Sequence, residues 1–266
     1  MINFEQYLIE RKGSSVTQPK PKRKVNIEEL KQMIANKDSD IADVDVSEIT
    51  DMKELFFNSD FGGSWTADLS GWDTNKVVDM QHMFKGCKNL KEVSLPHTEN
   101  VTYMSYMFHG CKNLEEVSLP HIEKVATMGW MFSYCENLKQ VSLPHTESVT
   151  YMSYMFKGCK NLKEVSLPHT ESVAYMSYMF KGCTSLKEVS LPNTEKVVNM
   201  QHMFQGCKNL EEVSLPHTEK VRDMSSMFKD CENLEQDFTS WDVRGIVRTS
   251  MFEGTKVTKF PEGYEQ

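Results

Sequence analysis

Seven cysteines are the side chains best suited to chemistry in this chain, and their spacing is regular. A thiol can act as a nucleophile, bind a metal or form a disulfide. An odd number of cysteines without CxxC pairs fits neither a disulfide framework nor a zinc site. We therefore expect a free, buried thiol at the same core position of each repeat. The cysteines follow one another at intervals of 24 residues, as Cys87, Cys111, Cys135, Cys159, Cys183, Cys207 and Cys231.

Five histidines recur at the same interval and offer a second kind of chemistry. Stacked imidazoles about 5 Å apart could share a metal ion, because zinc accepts ring nitrogens as ligands. A glutamate follows each histidine by two residues, as in His97 and Glu99, and pairing with it is the simpler interpretation. Because an unperturbed histidine titrates at about pH 6.5, we also expect this column to be pH-sensitive. It consists of His97, His121, His145, His169 and His217.

A serine and a histidine lie three residues apart in the repeat, as in Ser94 and His97. A catalytic nucleophile needs one activated and oriented site, whereas the repeats supply the same pair in almost every unit. The chain has no glycine-rich phosphate loop, no HExxH and no acidic metal loop. We therefore expect no enzymatic activity and no cofactor, and metal binding by the histidine column remains only an alternative.

The composition narrows the possible partners. The formal charge is −8, from 30 basic and 38 acidic residues, which argues against nucleic acid as a partner of the repeats. No apolar run approaches the ~20 residues that a membrane-spanning helix needs. The N-terminus lacks a signal peptide, and no cysteine precedes Cys87 to carry a lipid anchor. We expect a monomer that has no membrane partner and is cytoplasmic or exported by an unrecognised route.

The 24-residue unit predicts an α/β repeat solenoid. Leu90, Val93 and Leu95 alternate with polar residues as in a short strand. The residues at Met104, Met107, Phe108 and Cys111 have the spacing of one helical face. A fixed period of this length is typical of stacked coils that cover one another's apolar faces. We expect a right-handed solenoid of about nine coils, each with one short parallel strand and one short helix.

The remaining chain divides into short segments. Residues 13–24 are polar, basic and proline-containing, so we expect a flexible linker over 11–26. Asn26 and Glu29 have the spacing of a capping box, which predicts a capping helix within 27–40. The solenoid then occupies 41–266 and ends in a closing coil with an edge strand.

The strands should place one face of the solenoid in solvent, and this strand face is the candidate binding surface. Repeat proteins commonly bind partners on such an extended face. We expect it to be acidic and rich in small residues, with a solvated surface that binds nothing as the alternative. The face consists of Glu92, Ser94, Glu116, Ser118, Ser142, Glu164, Ser166, Glu188, Ser190, Glu212 and Ser214.

Tyrosines flank the methionines on the opposite side of each coil. Exposed tyrosines make good contact residues, because they give contact area at low entropic cost. Partial packing between neighbouring coils is the other interpretation, and we favour it. These residues are Tyr103, Tyr106, Tyr151, Tyr154, Tyr175 and Tyr178.

Two motifs carry a resemblance to a known family. Asn-Leu-x-x-Val-x-Leu-Pro is followed by Val-x-x-Met-x-x-Met-Phe-x-Gly-Cys, as in residues 161–183, and Asp68-Leu-Ser-Gly-Trp-Asp-Thr74 precedes the regular repeats. They resemble the BspA-like bacterial leucine-rich repeats of surface proteins and mycoplasma lipoproteins. The resemblance covers 41–260 and implies a leucine-rich-repeat-like solenoid that binds proteins and has no enzymatic activity.

A second resemblance lies at the N-terminus. The first ten residues, MINFEQYLIE, place Phe4, Tyr7 and Leu8 on one helical face. They resemble the capsid-targeting propeptide of internal head proteins in T-even-like phages. The resemblance implies cleavage after the tripeptide from Leu8 to Glu10, so that the mature chain begins at Arg11, is packed in the virion and then enters the host cytoplasm.

Together these observations give one principal hypothesis and two alternatives. The principal hypothesis is a non-enzymatic scaffold that binds a protein, as an internal phage protein delivered into a host. The first alternative is a BspA-like surface adhesin or host-interaction protein. The second is metal binding by the histidine column.

Overall fold

The computed structural model describes residues 22–63 and 67–265. Within them the chain winds into stacked coils that share one continuous core. The expected propeptide, 1–10, and most of the expected linker lie outside the described residues.

The N-terminal part of the described chain contains one α-helix, α1 (Ile27–Ala35). The helix begins where the sequence predicts, because Asn26 and Glu29 form a capping box. The amide of Glu29 donates to Asn26 Oδ1 at 2.9 Å, and the amide of Asn26 donates to Glu29 Oε2 at 3.0 Å. Leu30, Met33 and Ile34 are buried against the first coil. No helix among the described residues has the length and apolar character to cross a membrane.

Short elements surround α1. A two-residue strand, β1 (Arg23–Lys24), precedes it. A 3₁₀ helix (Ser39–Asp43) and a second two-residue strand, β2 (Val44–Asp45), follow it. Strands β1 and β2 pair in parallel, so the chain before α1 is joined to the first coil after it.

Six three-residue strands form the regular part of the solenoid. Their central residues are the valines from Val93 to Val213 that the sequence predicts as strand centres. The strands are β3 (Glu92–Ser94), β4 (Glu116–Ser118), β5 (Gln140–Ser142), β6 (Glu164–Ser166), β7 (Glu188–Ser190) and β8 (Glu212–Ser214). They pair in parallel as β3 with β4, β5 with β6, and β7 with β8. Equivalent residues lie directly opposite each other, as Val93 does to Val117.

A second parallel ladder runs along the other side of the coils. It joins single residues of successive coils by isolated β-bridges. Its rungs are Asp51, Asp79, Tyr103, Thr127, Tyr151, Tyr175, Asn199, Asp223 and Val247. These nine rungs confirm the expected number of coils in the described part of the chain.

The segment around this ladder is a series of tight turns, and the predicted helix in each coil is wrong. The amide of Met107 donates to the carbonyl of Met104 at 3.3 Å, and that of Cys111 donates to Phe108 at 3.0 Å. The intervening amide of Gly110 donates to Ser133 in the next coil at 2.8 Å. Because alternate amides bond between coils, they cannot make the i to i−4 bonds of an α-helix.

The turns place particular residues in the left-handed backbone region. Tyr106 has φ 62° and Gly110 has φ 74°, each at the third position of a turn. A type II turn requires a positive φ there. The turns therefore bring residues 104, 107, 108 and 111 to one side, at the spacing that the sequence analysis attributed to a helix.

The core is built from columns of identical side chains. Phe156 lies with its ring centroid 5.6 Å from that of Phe132 and 5.5 Å from that of Phe180. Met152 and Met155 are fully buried beside them. The same arrangement holds in the neighbouring coils, so each coil covers the apolar face of the next.

The last coil is closed by a short return of the chain. The amide of Val243 donates to Glu262 at 3.0 Å, and Asp242 and Glu262 form an isolated parallel bridge. The expected edge strand is thus reduced to a single bridge within the described residues.

Candidate functional site

The strand face presents its side chains in straight columns because the strands pair in register. In each three-residue strand the central valine is buried or half-buried, and the two outer residues are exposed. All of the strand-face residues predicted from the sequence are exposed on this side of the sheets. The structure therefore brings them together on one surface.

A shallow groove runs along the strand face. It has a volume of about 1080 Å³ and extends from the coil of Glu116 to that of Ser214. Its lining is mostly polar, with the strand valines of four of its five coils contributing as well. The central part is lined by Val141, Val165, Val189, Ser142, Ser166, Ser190, Glu164, Glu188, Lys163 and Lys187.

The charge of this face differs from the expectation of an acidic surface. The glutamate column is interrupted by Gln140, and a column rich in lysine runs beside it. That column contains Lys91, Glu115, Lys139, Lys163, Lys187 and Glu211. The sequence analysis considered only the glutamate and serine columns and missed the lysines, which lie one residue before the glutamate column in four of the six coils. The strand face is striped with both charges.

Some of these charges pair between coils. Lys139 Nζ lies 3.0 Å from Glu115 Oε2, and Lys187 Nζ lies 3.2 Å from Glu211 Oε1. The hydrogen bond from Lys139 lowers the pKa of Glu115. The pairs are exposed, so they contribute little to stability and leave both charges accessible to a partner.

The histidine column lies next to a glutamate column, as the sequence predicts. His169 sits between two glutamates, with Nε2 3.7 Å from Glu147 Oε1 and Nδ1 3.7 Å from Glu171 Oε1. His217 has the same arrangement between glutamates of two coils. No group of three or more His, Cys, Asp or Glu side chains could hold a metal ion in the described part of the chain, so the metal alternative has no site there. The pH sensitivity of the column stays a prediction.

The seven thiols are free and buried, as the sequence analysis expects. Each donates a hydrogen bond to a main-chain carbonyl of the preceding coil, as Cys207 Sγ does to Phe180 O at 3.0 Å. Burial raises the pKa of Cys87 to about 11 and that of Cys207 to about 12. A thiolate is the reactive form, so these groups are unsuited to nucleophilic or metal chemistry.

A column of stacked aromatic rings on the turn side was only partly predicted. The ring of Trp130 lies 4.9 Å from that of Tyr106 and 4.4 Å from that of Tyr154, with interplanar angles of 6° and 7°. The sequence analysis named the tyrosines but not the tryptophan or the two histidines that continue the stack. The spacing of the sequence could have revealed them, because Trp130, His82 and His202 each lie 24 residues from a tyrosine of the stack. The complete stack is His82, Tyr106, Trp130, Tyr154, Tyr178 and His202.

The expected cleavage residues Leu8, Glu10 and Arg11 lie outside the described residues.

The parallel strands, the one-coil period and the shared core define a leucine-rich-repeat-type solenoid. A leucine-rich repeat protein from Eubacterium ventriosum has a similar structure, with a TM-score of 0.53 at 20% sequence identity, covering 81% of this chain and 65% of that one. At this level of identity the similarity shows the fold alone. A leucine-rich repeat protein of T. pallidum matches with a TM-score of 0.48 and 29% identity over 60% of this chain and 72% of that one.

The chain belongs to the family described as Mycoplasma protein of unknown function, DUF285, whose model matches residues 25–143, 112–215 and 175–262. This confirms the expected relation to bacterial leucine-rich repeats. No curated protein sequence is similar to the chain. The family match begins at residue 25, and the resemblance of residues 1–10 to a phage propeptide stays a prediction.

Proposed function

We propose that this protein is a non-enzymatic scaffold whose strand-face groove binds an extended segment of a partner protein. The observation that carries the proposal is the groove itself, an open channel lined by exposed serine, glutamate and lysine side chains above the inward-facing valines of the strands. Across four coil-to-coil steps it is about 20 Å long, because stacked strands lie ~4.8 Å apart. That length accommodates roughly six residues of extended chain.

The lining favours a protein segment over a small molecule. Small-molecule sites are usually enclosed and hold a few convergent polar groups. Here each coil repeats nearly the same side chains along the groove, so no position is singled out for one ligand or for catalysis. Alternating lysine and glutamate columns instead suit a peptide that carries both charges, with the small serines leaving room for its backbone.

Site-specific photo-crosslinking tests this function. A photoreactive amino acid replaces Ser142, Ser166 or Ser190 in the groove, and the exposed Lys196 or Lys220, outside both the groove and the turn segments, as control, in the full chain expressed in its source cells. We expect the same partner to be captured from all three groove positions and not from the controls. Combined Glu164→Lys and Glu188→Lys substitutions should weaken this capture. Equal capture at the control positions, or none at the groove, would contradict the proposal.

Two cellular settings are proposed for this scaffold. The first is an internal phage protein, supported by the sequence of residues 1–10 and the basic segment that follows. Mass spectrometry of purified virions should then find a chain that begins at Arg11. If the chain is absent from particles, or is present with Met1 retained, the cleavage hypothesis is wrong.

The second setting is a surface protein that contacts a host, supported by the match to a family of Mycoplasma proteins. Protease treatment of intact source cells should then remove the solenoid while cytoplasmic markers survive. Protection of the solenoid under those conditions would contradict this setting.

A further inference from the structure

The turn side of the central coils carries a cluster of aromatic residues that the fold does not require. We call this cluster the tyrosine face. Its members come from four successive coils, whereas the core methionines and phenylalanines recur along the whole solenoid. The tyrosine face consists of Tyr103, Tyr106, Trp130, Tyr134, Tyr151, Tyr154, Tyr175 and Tyr178.

Other coils show that polar residues fit the same backbone positions. Ser226 and Ser250 occupy the position of Tyr154, with φ 52° and 54° against 63° for the tyrosine. Asn199 occupies the position of Tyr175 on the same ladder of bridges. A bulky residue at positive φ is uncommon and costs energy. The aromatic side chains of the central coils therefore have a role other than forming the turn.

Stacking between coils explains only part of this cluster. Stacked aromatic pairs stabilise beyond their buried area, which accounts for Tyr106, Trp130 and Tyr154. Tyr103, Tyr134 and Tyr175, by contrast, are 43%, 40% and 47% exposed. Exposed aromatic residues grouped in this way are typical of a contact surface.

The charges within the turn segments that form the tyrosine face have one sign. Lys157 Nζ lies 5.5 Å from the ring centroid of Tyr154, and Lys181 Nζ lies 5.4 Å from that of Tyr178. No acidic residue occurs in the turn segments 102–112, 126–135, 150–160 and 174–184. The next acidic residue, Glu136, already pairs with Lys112 and Lys160 at 3.0 and 2.8 Å. Outside these segments, Asp79 is bridged to Tyr103 at one end of the face. On this side the central coils thus offer positive charge without an unpaired carboxylate of their own.

The stacking geometry selects among possible ligands. Bases and sugars bind aromatic side chains through an open ring face. The rings from Tyr106 to Tyr178 cover one another at 4.4–4.9 Å with interplanar angles of 5–7°, and His82 and His202 cover the two ends. What remains accessible is the rim of each ring. Burial also raises the pKa of Tyr106 and Tyr154, so their hydroxyl groups remain protonated and can donate hydrogen bonds.

We propose that the tyrosine face is a second docking surface, which binds a segment of a partner protein rich in aspartate or glutamate. The rings supply a rigid apolar surface that is already ordered by stacking, so little side-chain entropy is lost on binding. The lysines and tyrosine hydroxyl groups supply donors for the carboxylates. This surface is separate from the strand-face groove and does not depend on the function proposed for it.

Selection from a random peptide library displayed on phage tests this proposal with the full chain as bait. We expect the enriched peptides to be acidic, and a synthetic copy to bind by fluorescence anisotropy with an affinity that falls with salt. The double variant Tyr154→Ser and Tyr178→Ser should weaken binding by about tenfold or more. Lys157→Gln with Lys181→Gln should weaken it and reduce the salt dependence. The strand-face variant Glu164→Lys should have no effect.

Each of these tyrosine and lysine substitutions copies a residue that another coil carries at the same position, so that weaker binding can be distinguished from misfolding. Serine and glutamine already occupy the equivalent positions at Ser226 and Gln205, and urea unfolding checks that each variant is folded. If the tyrosine double variant unfolds, Tyr175→Asn removes an exposed ring using the residue of the next coil. Enriched peptides without acidic residues, or equal affinity for the tyrosine variants, would overturn the proposal. So would binding of a dT20 oligonucleotide or heparin at the tyrosine face in place of the peptides.

Discussion

The thiol of Cys111 donates a hydrogen bond to the main-chain carbonyl of Phe84 at 3.0 Å, across the boundary between two coils. The amide of Cys87 donates to the same carbonyl at 3.0 Å. One carbonyl therefore accepts from its own coil and from the next, and the pattern recurs at every cysteine from Cys111 to Cys231. The cysteine column links the coils through the core and is not a set of reactive groups.

The first prediction concerns the reactivity of these thiols. Native protein treated with iodoacetamide at pH 8 should remain unmodified, because burial keeps the thiols protonated and out of reach. Any slow reaction should begin at Cys87, whose pKa rises only to about 11, against about 12 for Cys207. Mass spectrometry counts the adducts, and the denatured chain, which should carry seven, is the control. Rapid modification of several thiols in the native protein would show that the core is not closed as described.

The second prediction concerns the capping box of α1. Asn26→Ala should destabilise the helix by about 1 kcal/mol, because the amide of Glu29 loses its acceptor. Hydrogen exchange of the α1 amides should then accelerate several-fold, while exchange in the central coils is unchanged. Asn26→Asp keeps an acceptor and should behave like the native chain. Equal exchange in Asn26→Ala and Asn26→Asp would contradict the assigned cap.

The sequence was sufficient to predict the solenoid, the strand centres and the core columns. Each depends on residues that repeat with the period of the coil, so an inward position such as Phe156 is visible in every unit. The helix prediction failed because a series of turns brings Met104, Met107, Phe108 and Cys111 to one side just as a helix would. Whether the segment is a helix or a series of turns depends on the acceptors of its alternate amides. These amides donate to the next coil, and such bonds do not change the spacing of the apolar residues in the sequence.

The binding surfaces were less predictable for a related reason. The charge of the strand face depends on two adjacent columns. Lys163 lies beside Glu164, so neither column alone predicts whether the face is acidic or basic. The aromatic stack combines tyrosine, tryptophan and histidine at one repeat position, so a search by residue type found Tyr154 but not Trp130. Reading columns position by position would have found both.

The third prediction concerns the left-handed turn positions. Gly182→Ala should destabilise the protein by roughly 1 kcal/mol through its φ of 75° alone, since the added Cβ would meet nothing nearer than Gly158 Cα at 3.9 Å. Gly182→Asn should cost less, because asparagine tolerates this region. In the opposite direction, Ser226→Gly should stabilise the protein slightly by relieving a positive φ of 52°. The urea midpoints of the three variants test these expectations. A Gly182→Ala variant as stable as the native chain would show that residue 182 does not hold a positive φ.

The fourth prediction is a loss of stability in mild acid caused by His109. Burial, with smaller contributions from Lys85, His82 and Lys157, lowers the pKa of His109 below its ordinary 6.5. The unfolded chain therefore binds a proton at a higher pH than the folded chain does, so stability falls as the pH drops from about 6.5 toward the folded pKa. His82 has a pKa lowered chiefly by burial as well and adds to the effect. Urea midpoints at pH 7.5, 6.5 and 5.5 measure this loss of stability.

His109→Gln, which copies the residue at the equivalent position Gln205, should flatten this dependence of stability on pH. An unchanged slope in His109→Gln would contradict the assignment of the acid sensitivity to His109.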